Sequence, residues 1–357
     1  NAQPRVKPAD EQLALIADAS LYVATRDPKL LVLINETYVD WRAAQAVRIL
    51  VGRRRLVWGS GLAQNPTDLL SPPKNPMDVD QQRMGAFLLP MIDVTLGPVT
   101  FSTLASPPVT TNEHAVPDHF AFDESLVAAR AYALVLDTDI NLIYYHDFGR
   151  DRDHVGASVS YILGDIYELH AEALGHVQRS TPTALPLVSV CGATPPEDGR
   201  YATWSLLAGG RILWSDQSIL GGEYLYSGDG LGRGSFDTLR GQLPCIRMML
   251  QLIPQPAPKP IGHPLDPAVL MLRRHYLILV YQRPHLTARL FEDVAIGAAL
   301  TMGLEDFSAM AMVTASYRIS ELASVAVRLL RFGGPQDSEF SLSPTRAAAT
   351  IDLNVLY

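Results

Sequence analysis

Apolar and polar residues alternate along most of this chain with a period of two, the pattern of a strand with one apolar and one polar face. In SYILGDIYELHAEALGH, Tyr167, Leu169, Ala171 and Ala173 share one face, and Glu168, His170, Glu172 and His176 the other. In RYATWSLLAGGRILW, Ala202, Trp204, Leu206, Ala208 and Ile212 oppose Thr203, Ser205 and Arg211. The final run, AATIDLNVLY, sets Ala349, Ile351, Leu353, Val355 and Tyr357 against Thr350, Asp352 and Asn354. With a template of ~9–11 residues per strand, about 16 such runs are predicted. They lie near 11–24, 30–43, 45–52, 85–96, 98–106, 124–136, 139–148, 152–164, 165–177, 201–213, 217–227, 273–283, 288–302, 307–317, 320–332 and 345–357. Three depart from the pattern. The run 85–96 carries Pro90 and bulky residues on both faces, 30–43 puts Asn35 on its apolar face, and 273–283 is apolar on both faces.

The connections sort by parity. After even-numbered strands they are short: AQ, GP at 97–98, TD at 138–139, GD at 164–165, SDQS at 215–218, PHLTA at 284–288 and RIS at 318–320. Every long one follows an odd-numbered strand: 53–84, 107–123, 178–200, 228–272 and 333–344. A soluble sandwich has no reason to sort its loops this way. A transmembrane up-and-down barrel does, with short periplasmic turns and long external loops. The fold class expected is therefore all-β: an antiparallel transmembrane β-barrel of about 16 strands. Residues 11–357 would form it as one domain, and residues 1–10 an N-terminal periplasmic extension of a mature, processed chain. The Pro-rich piece 254–267 reads as part of a long loop, because the strand pattern resumes after it at the same parity.

Composition fits. Hydrophobic residues make up 48% and charged ones only 18%, against ~25% charged in ordinary soluble domains. Yet no run approaches the ~18 consecutive apolar residues of a membrane helix. A closed barrel reconciles the two, since it pairs every backbone polar group and turns only alternate side chains to lipid. The formal net charge of −8 argues against nucleic acid as a partner. Basic residues are almost all Arg; Lys occurs only at 7, 29, 74 and 259. Aromatics near strand ends, among them Trp41, Trp204, Trp214, Tyr161, Tyr167, Tyr224, Tyr226 and Tyr317, suit interfacial belts.

The last strand ends on an aromatic, Tyr357, and here the chain resembles Gram-negative outer-membrane β-barrel proteins over residues 11–357. A narrower likeness lies in VGRRRLVWGSGLAQNPTDLL. Its Gly52, Arg53, Trp58, Gly59, Asn65, Pro66 and Asp68 match a segment of porin-like and alginate-export-like barrels. The resemblance implies an integral outer-membrane protein with lipids as its surroundings and homo-oligomers or envelope proteins as its partners.

A barrel this wide leaves an aqueous lumen. The inward set carries Asp18, Glu36, Asp40, Arg42, Arg48, Arg130, Glu168, His170, Glu172, Arg211, Glu223, Asp293, Arg328 and Asp352. Both signs are present, a transverse field that polar solutes can cross. Arg53, Arg54 and Arg55 fall where the third strand leaves the membrane. Segment 53–84 is expected to fold over or into the pore, with Trp58 as anchor and these arginines facing the path.

Glu168, His170, Glu172 and His176 are good metal-ligand types, but strand neighbours at i and i+2 lie ~6.5–7 Å apart and need a neighbouring strand to share an ion. No metal and no cofactor are expected. SGDGLGRGSFD, 227–237, lacks the Lys-Ser/Thr of a phosphate loop and reads as the flexible start of an external loop. GRDRDH, 149–154, reads as a charged turn. Cys191 and Cys245 both fall in expected external loops, where a disulfide would staple the mouth. No motif of a nucleophile or nucleotide site is present, so the chain is not expected to be an enzyme. The expected function is an outer-membrane channel passing small polar or charged solutes. Two rivals are a scaffold barrel of an envelope assembly, its lumen filled by a loop or partner, and a soluble all-β binding protein.

Overall fold

The computed structural model describes residues 13–23, 30–54, 56–70, 86–106, 125–148, 151–178, 201–252, 271–285, 293–320, 323–342 and 346–355. Sixteen strands follow one another in a single sheet in chain order, each antiparallel to the next. They are β1 (Leu13–Val23), β2 (Leu30–Ala44), β3 (Val47–Arg54), β4 (Ala86–Leu96), β5 (Val99–Ser106), β6 (Leu126–Val135), β7 (Thr138–Asp147) and β8 (Arg152–Leu163). The second half comprises β9 (Tyr167–Gln178), β10 (Tyr201–Leu213), β11 (Ile219–Ser227), β12 (His275–Arg283), β13 (Val294–Gly303), β14 (Ala309–Ser320), β15 (Ala323–Gly333) and β16 (Ala347–Val355). The sheet is an up-and-down β-barrel.

Alternation decides which face each residue takes. On β9, Tyr167 and Leu169 are exposed outside, whereas His170, Glu172, Leu174 and His176 are buried inside. On β10, Trp204 and Leu206 point out, and Thr203 and Leu207 point in. The outer face is apolar, and Trp41, Tyr161, Tyr167, Trp204, Trp214, Tyr224 and Tyr317 are exposed. Such a face is stable against hydrocarbon and not against water.

The parity of the connections holds, with three adjustments. The β6–β7 turn is Leu136–Asp137 rather than Thr138–Asp139, with φ of 47° and 60°. That left-handed pair matches the right-handed twist of a tight hairpin, and Asp139 instead joins the strand and accepts from the Tyr132 hydroxyl. The β12–β13 connection is longer than expected, because β13 starts at Val294 and not near 288. β3 runs on through Arg54, with a register shift between Leu50 and Gly52 against β4. Gly52 has φ 128°, and a Cβ there would come within 2.8 Å of the Tyr38 Cα, so only glycine is accommodated.

The stretch 227–237 corrects the flexible-loop reading. It turns at Gly228 and Gly230, both buried, and opens a helix, α1 (Arg233–Leu252). Phe236 is buried, with the Arg273 guanidinium 4.4 Å over its ring. Cys245 falls in α1, not in an irregular loop; its side chain, like Cys191, lies outside the described residues. Arg152, Asp153 and His154 belong to β8 rather than to a charged turn.

Two apolar clusters fill parts of the interior. One joins Tyr38, Leu50, Met91, Leu104, Leu126, Ile143 and Tyr145 of the wall to Leu56, Trp58 and Leu70 of the β3–β4 connection. The other joins Leu207, Leu225, Tyr276, Ile278, Met310, Leu330 and Phe332 to Phe340, in a short 3-10 turn, Glu339–Leu342. There Glu339 is buried and accepts from the Leu272 amide at 2.5 Å and from the Tyr276 hydroxyl at 2.8 Å. Its own amide donates to Asp306 at 2.8 Å. Through its carboxyl and its amide, Glu339 therefore ties three connections at the long-loop end to one another and to Tyr276 of the wall.

Burial pushes the Glu339 carboxyl up from 4.5 to about 7, with Asp306 adding to the rise and Arg273 opposing it. An acid whose folded value is raised stabilises least when ionised in both states, so this site weakens the fold as pH rises from about 4.5 to about 7. We expect denaturant unfolding of the barrel in detergent to show Glu339→Gln gaining stability over the native chain across that interval, on the order of 3 kcal/mol by pH 8 relative to pH 4. A difference that does not change with pH would contradict this.

Candidate functional site

Chain leaving β3 turns into the lumen and stays there. Residues 56–70 contain no Lys or Arg, so they can enter the barrel without bringing a cation. Leu56, Trp58, Thr67, Asp68 and Leu70 are buried. Trp58 stacks on Tyr145 with ring centroids 5.7 Å apart, and the Tyr145 hydroxyl donates to the Thr67 carbonyl at 2.8 Å. Asn65 and Pro66 form a tight turn closed by the Asp68 amide to the Asn65 carbonyl at 3.1 Å.

Two wall carboxylates hold this segment. Glu172 on β9 accepts from the amides of Ser60, Gly61 (2.7 Å) and Thr67 (3.1 Å) and from the Thr67 hydroxyl at 2.8 Å. Glu223 on β11 accepts from the amides of Leu62, Ala63 (3.0 Å) and Gln64 (3.3 Å). Backbone amides converging on an anion form a charge-assisted nest. Gly59 permits the approach: a Cβ there would lie 2.8 Å from the Glu172 Oε1. Both carboxylates are almost fully buried, and Glu223 also meets the His170 Nε2 at 2.9 Å. The predicted inward trio Glu172, His170 and Glu223 is thus brought together, as the anchor of the loop.

Toward the short turns the lumen wall stays polar. Arg48 Nε donates to Asp40 at 2.7 Å, and Arg211 Nε to Glu168 at 2.7 Å. Their side chains remain 39% and 38% exposed. Arg130 donates to Asn141 at 2.7 Å and lies 5.8 Å from the centroid of the Trp58 ring, under the loop. Arg48, Asp93, Ser102 and Arg130 stand in register across four strands, one transverse polar row. Asn141 continues it through Ser158 to Glu172. Arg328 shares the inward parity of Leu330 on β15 and stands opposite Thr350 in register; Asp352 stands opposite Ala326, and its side chain lies outside the described residues. Glu36 shares the inward parity of Tyr38 and Asp40, and Arg42 lies opposite Arg48 beside the β2–β3 turn.

Several candidates sit elsewhere. Asp293 precedes β13 and pairs with Arg318 at 3.3 Å on the rim, both half exposed. Consecutive residues of a strand alternate faces, so three neighbouring arginines cannot all point inward while β3 lasts. Arg54 lies 5.2 Å over the buried Tyr38 ring, whereas Arg53 pairs with Thr37 on the face of Val39 and Val51. Arg55 and the side chain of Asp18 lie outside the described residues. Asn141, Ser158, Tyr145 and Thr67 were not singled out from the sequence. Strand alternation could have found Asn141 and Ser158 as inward residues, but nothing local marks that Tyr145 meets Thr67, 78 positions away.

The chain is similar over nearly its whole length to solved Gram-negative outer-membrane channels. It matches Acinetobacter baumannii OccAB1 with a TM-score of 0.56 and 10% identity, over 96% of this chain and 85% of that one. For Acinetobacter baumannii OccAB3 the values are 0.54, 9%, 99% and 89%. For Pseudomonas aeruginosa OccD3 (OpdP) they are 0.51, 10%, 97% and 83%. The fold is that of an outer-membrane β-barrel. No family model and no curated protein matches the chain by sequence. At such identities the likeness is one of fold.

Within this outer-membrane barrel the two carboxylates are the testable element. A hydrogen bond to a charged acceptor contributes about 1.5–3 kcal/mol, and 1.4 kcal/mol is a factor of ten. The segment offers trypsin no site, but chymotrypsin can cut at Trp58 and the leucines. We expect the Glu172→Ala, Glu223→Ala double variant to be cleaved within 56–70 at least about tenfold faster than the native barrel, with Glu223→Gln intermediate. Equal rates would show that the loop is held by other contacts.

Proposed function

We propose that this protein is an outer-membrane channel that passes small polar or charged solutes, with residues 56–70 narrowing its lumen. The observation that carries the reading is a loop fixed inside the barrel on buried carboxylates while the wall beside it keeps water-accessible arginines. A loop seated on the wall from β2 to β11 narrows the lumen. Arg48 and Arg211 each hold a neighbouring-strand carboxylate through Nε and Nη2, and Arg130 holds Asn141 through Nε; the remaining N–H groups of each fork can meet a passing solute. Glu168 and Asp40 set opposite charge beside them, giving the path local polarity and both signs.

The test is conductance of the purified protein in planar bilayers. We expect discrete openings in KCl. A unit charge acting over ~4 Å of water contributes about 1 kcal/mol, roughly a fivefold bias between ions. Replacing Arg48 and Arg211 by Ala leaves Asp40 and Glu168 uncompensated, so the reversal potential in a salt gradient moves toward cation preference by up to that bias. No openings from folded protein would favour the scaffold reading instead.

A further inference from the structure

A second site lies at the long-loop end of the lumen. His154 on β8 and His176 on β9 are partners in register and face inward. Each is less than a tenth exposed. Their ring centroids are 5.2 Å apart with the planes tilted by 48°. His154 Nδ1 is buried without a hydrogen-bond partner, and His176 Nε2 is buried with an ion-pair contact that lacks hydrogen-bond geometry. Asp229, in the turn that leads from β11 to α1, brings its Oδ1 to 3.3 Å from His176 Nε2 and is itself half exposed.

Two adjacent buried imidazoles whose facing nitrogens make no hydrogen bond are costly for a structure that merely packs them, because a buried polar atom without such a bond loses its hydration. They are what a metal requires. Imidazole nitrogens bind zinc at about 2.0–2.1 Å, and two such ligands at a tetrahedral angle place their ring centres roughly 5 Å apart. Nearby charge does not forbid a cation. Arg152 precedes His154 by two residues on the same face, but it stands opposite Asp147 in register, and Asp229 adds a further anion. Among the described residues no three such side chains already surround one point, so water or a small turn of Asp229 completes the set. The lone-strand argument against a metal at His176 is met here by the neighbouring strand, through His154.

We propose that His154 and His176, supported by Asp229, form a site for a divalent transition-metal ion of the imidazole-binding class, such as zinc, nickel or copper. Hard cations such as calcium, which take oxygen ligands, do not fit. A bound ion joins the β8–β9 wall to the turn that opens α1, and so fixes a segment over the mouth.

The test uses the full-length, untagged protein folded in detergent and titrated calorimetrically with Zn²⁺, with Ca²⁺ as control. One Zn²⁺ per chain and no Ca²⁺ binding are expected. Asp229→Asn should weaken binding about 10-fold to 100-fold, the usual effect of losing a supporting group. His154→Gln and His176→Gln should each abolish it while the barrel still migrates as folded. A measurement on the native chain guards against variants that misfold: equimolar Cu²⁺ should show, by electron paramagnetic resonance, coupling to two imidazole nitrogens. Zn²⁺ binding that survives both substitutions, no binding up to millimolar Zn²⁺, or Cu²⁺ with fewer than two nitrogen ligands would overturn the proposal. None of these readouts depends on conductance, so they stand or fall apart from the channel reading.

Discussion

Two buried carboxylates organise the interior of this barrel. A charge taken out of water is unfavourable unless hydrogen bonds replace its hydration. Glu172 and Glu223 meet that demand with three backbone amides each, Glu172 at the two ends of the Ser60–Thr67 stretch and Glu223 in its middle. The demand is mutual. A loop inside a barrel has unpaired amides of its own, and without an acceptor they would pull it back to water. Neither partner is stable in place without the other, so the same bonds explain why anions sit in the wall and why the loop does not leave the lumen.

The rest of the architecture serves that arrangement. Trp58 and Leu70 pack on Tyr145, Leu126 and Met91 in an apolar cluster that gives the loop a fixed seat. Glycine at position 59 clears the space into which Glu172 reaches. The arginines remain on the wall, each hydrogen-bonded to a neighbouring strand, and only Arg130 among these three also lies over the Trp58 ring of the loop. Positive charge at Arg48 and Arg211 thus stays partly exposed, while negative charge at Glu172 and Glu223 is taken up by the loop. Sequence alone does not distinguish these two roles for acidic residues of the same inward face.

The strands were legible because alternation and loop parity are local signals repeated many times. Even so, three boundaries moved, each for a readable reason. The Leu136–Asp137 turn uses left-handed backbone in residues that do not advertise it, β13 begins after a charged stretch, and β3 carries two of its three arginines inside the strand. Helix α1 was hidden by its glycines, although the turn they make lies buried against Arg273 and Thr203. The inward placement of Glu172, His170 and Glu223 could be read from parity. The joint contact of Glu172 and Glu223 with residues 60–67 could not, because it spans more than a hundred positions of chain. The same holds for His154 and His176, which belong to different strands and meet only through register.

The central claim is that residues 60–67 are held inside the barrel by these amide–carboxylate bonds. Hydrogen exchange followed by mass spectrometry on the native barrel in detergent tests it without altering the protein. The account predicts that the peptide covering Ser60 to Thr67 exchanges as slowly as the neighbouring strands, by orders of magnitude below the rate of an open loop. Exchange of that peptide at the rate of unstructured chain would contradict it.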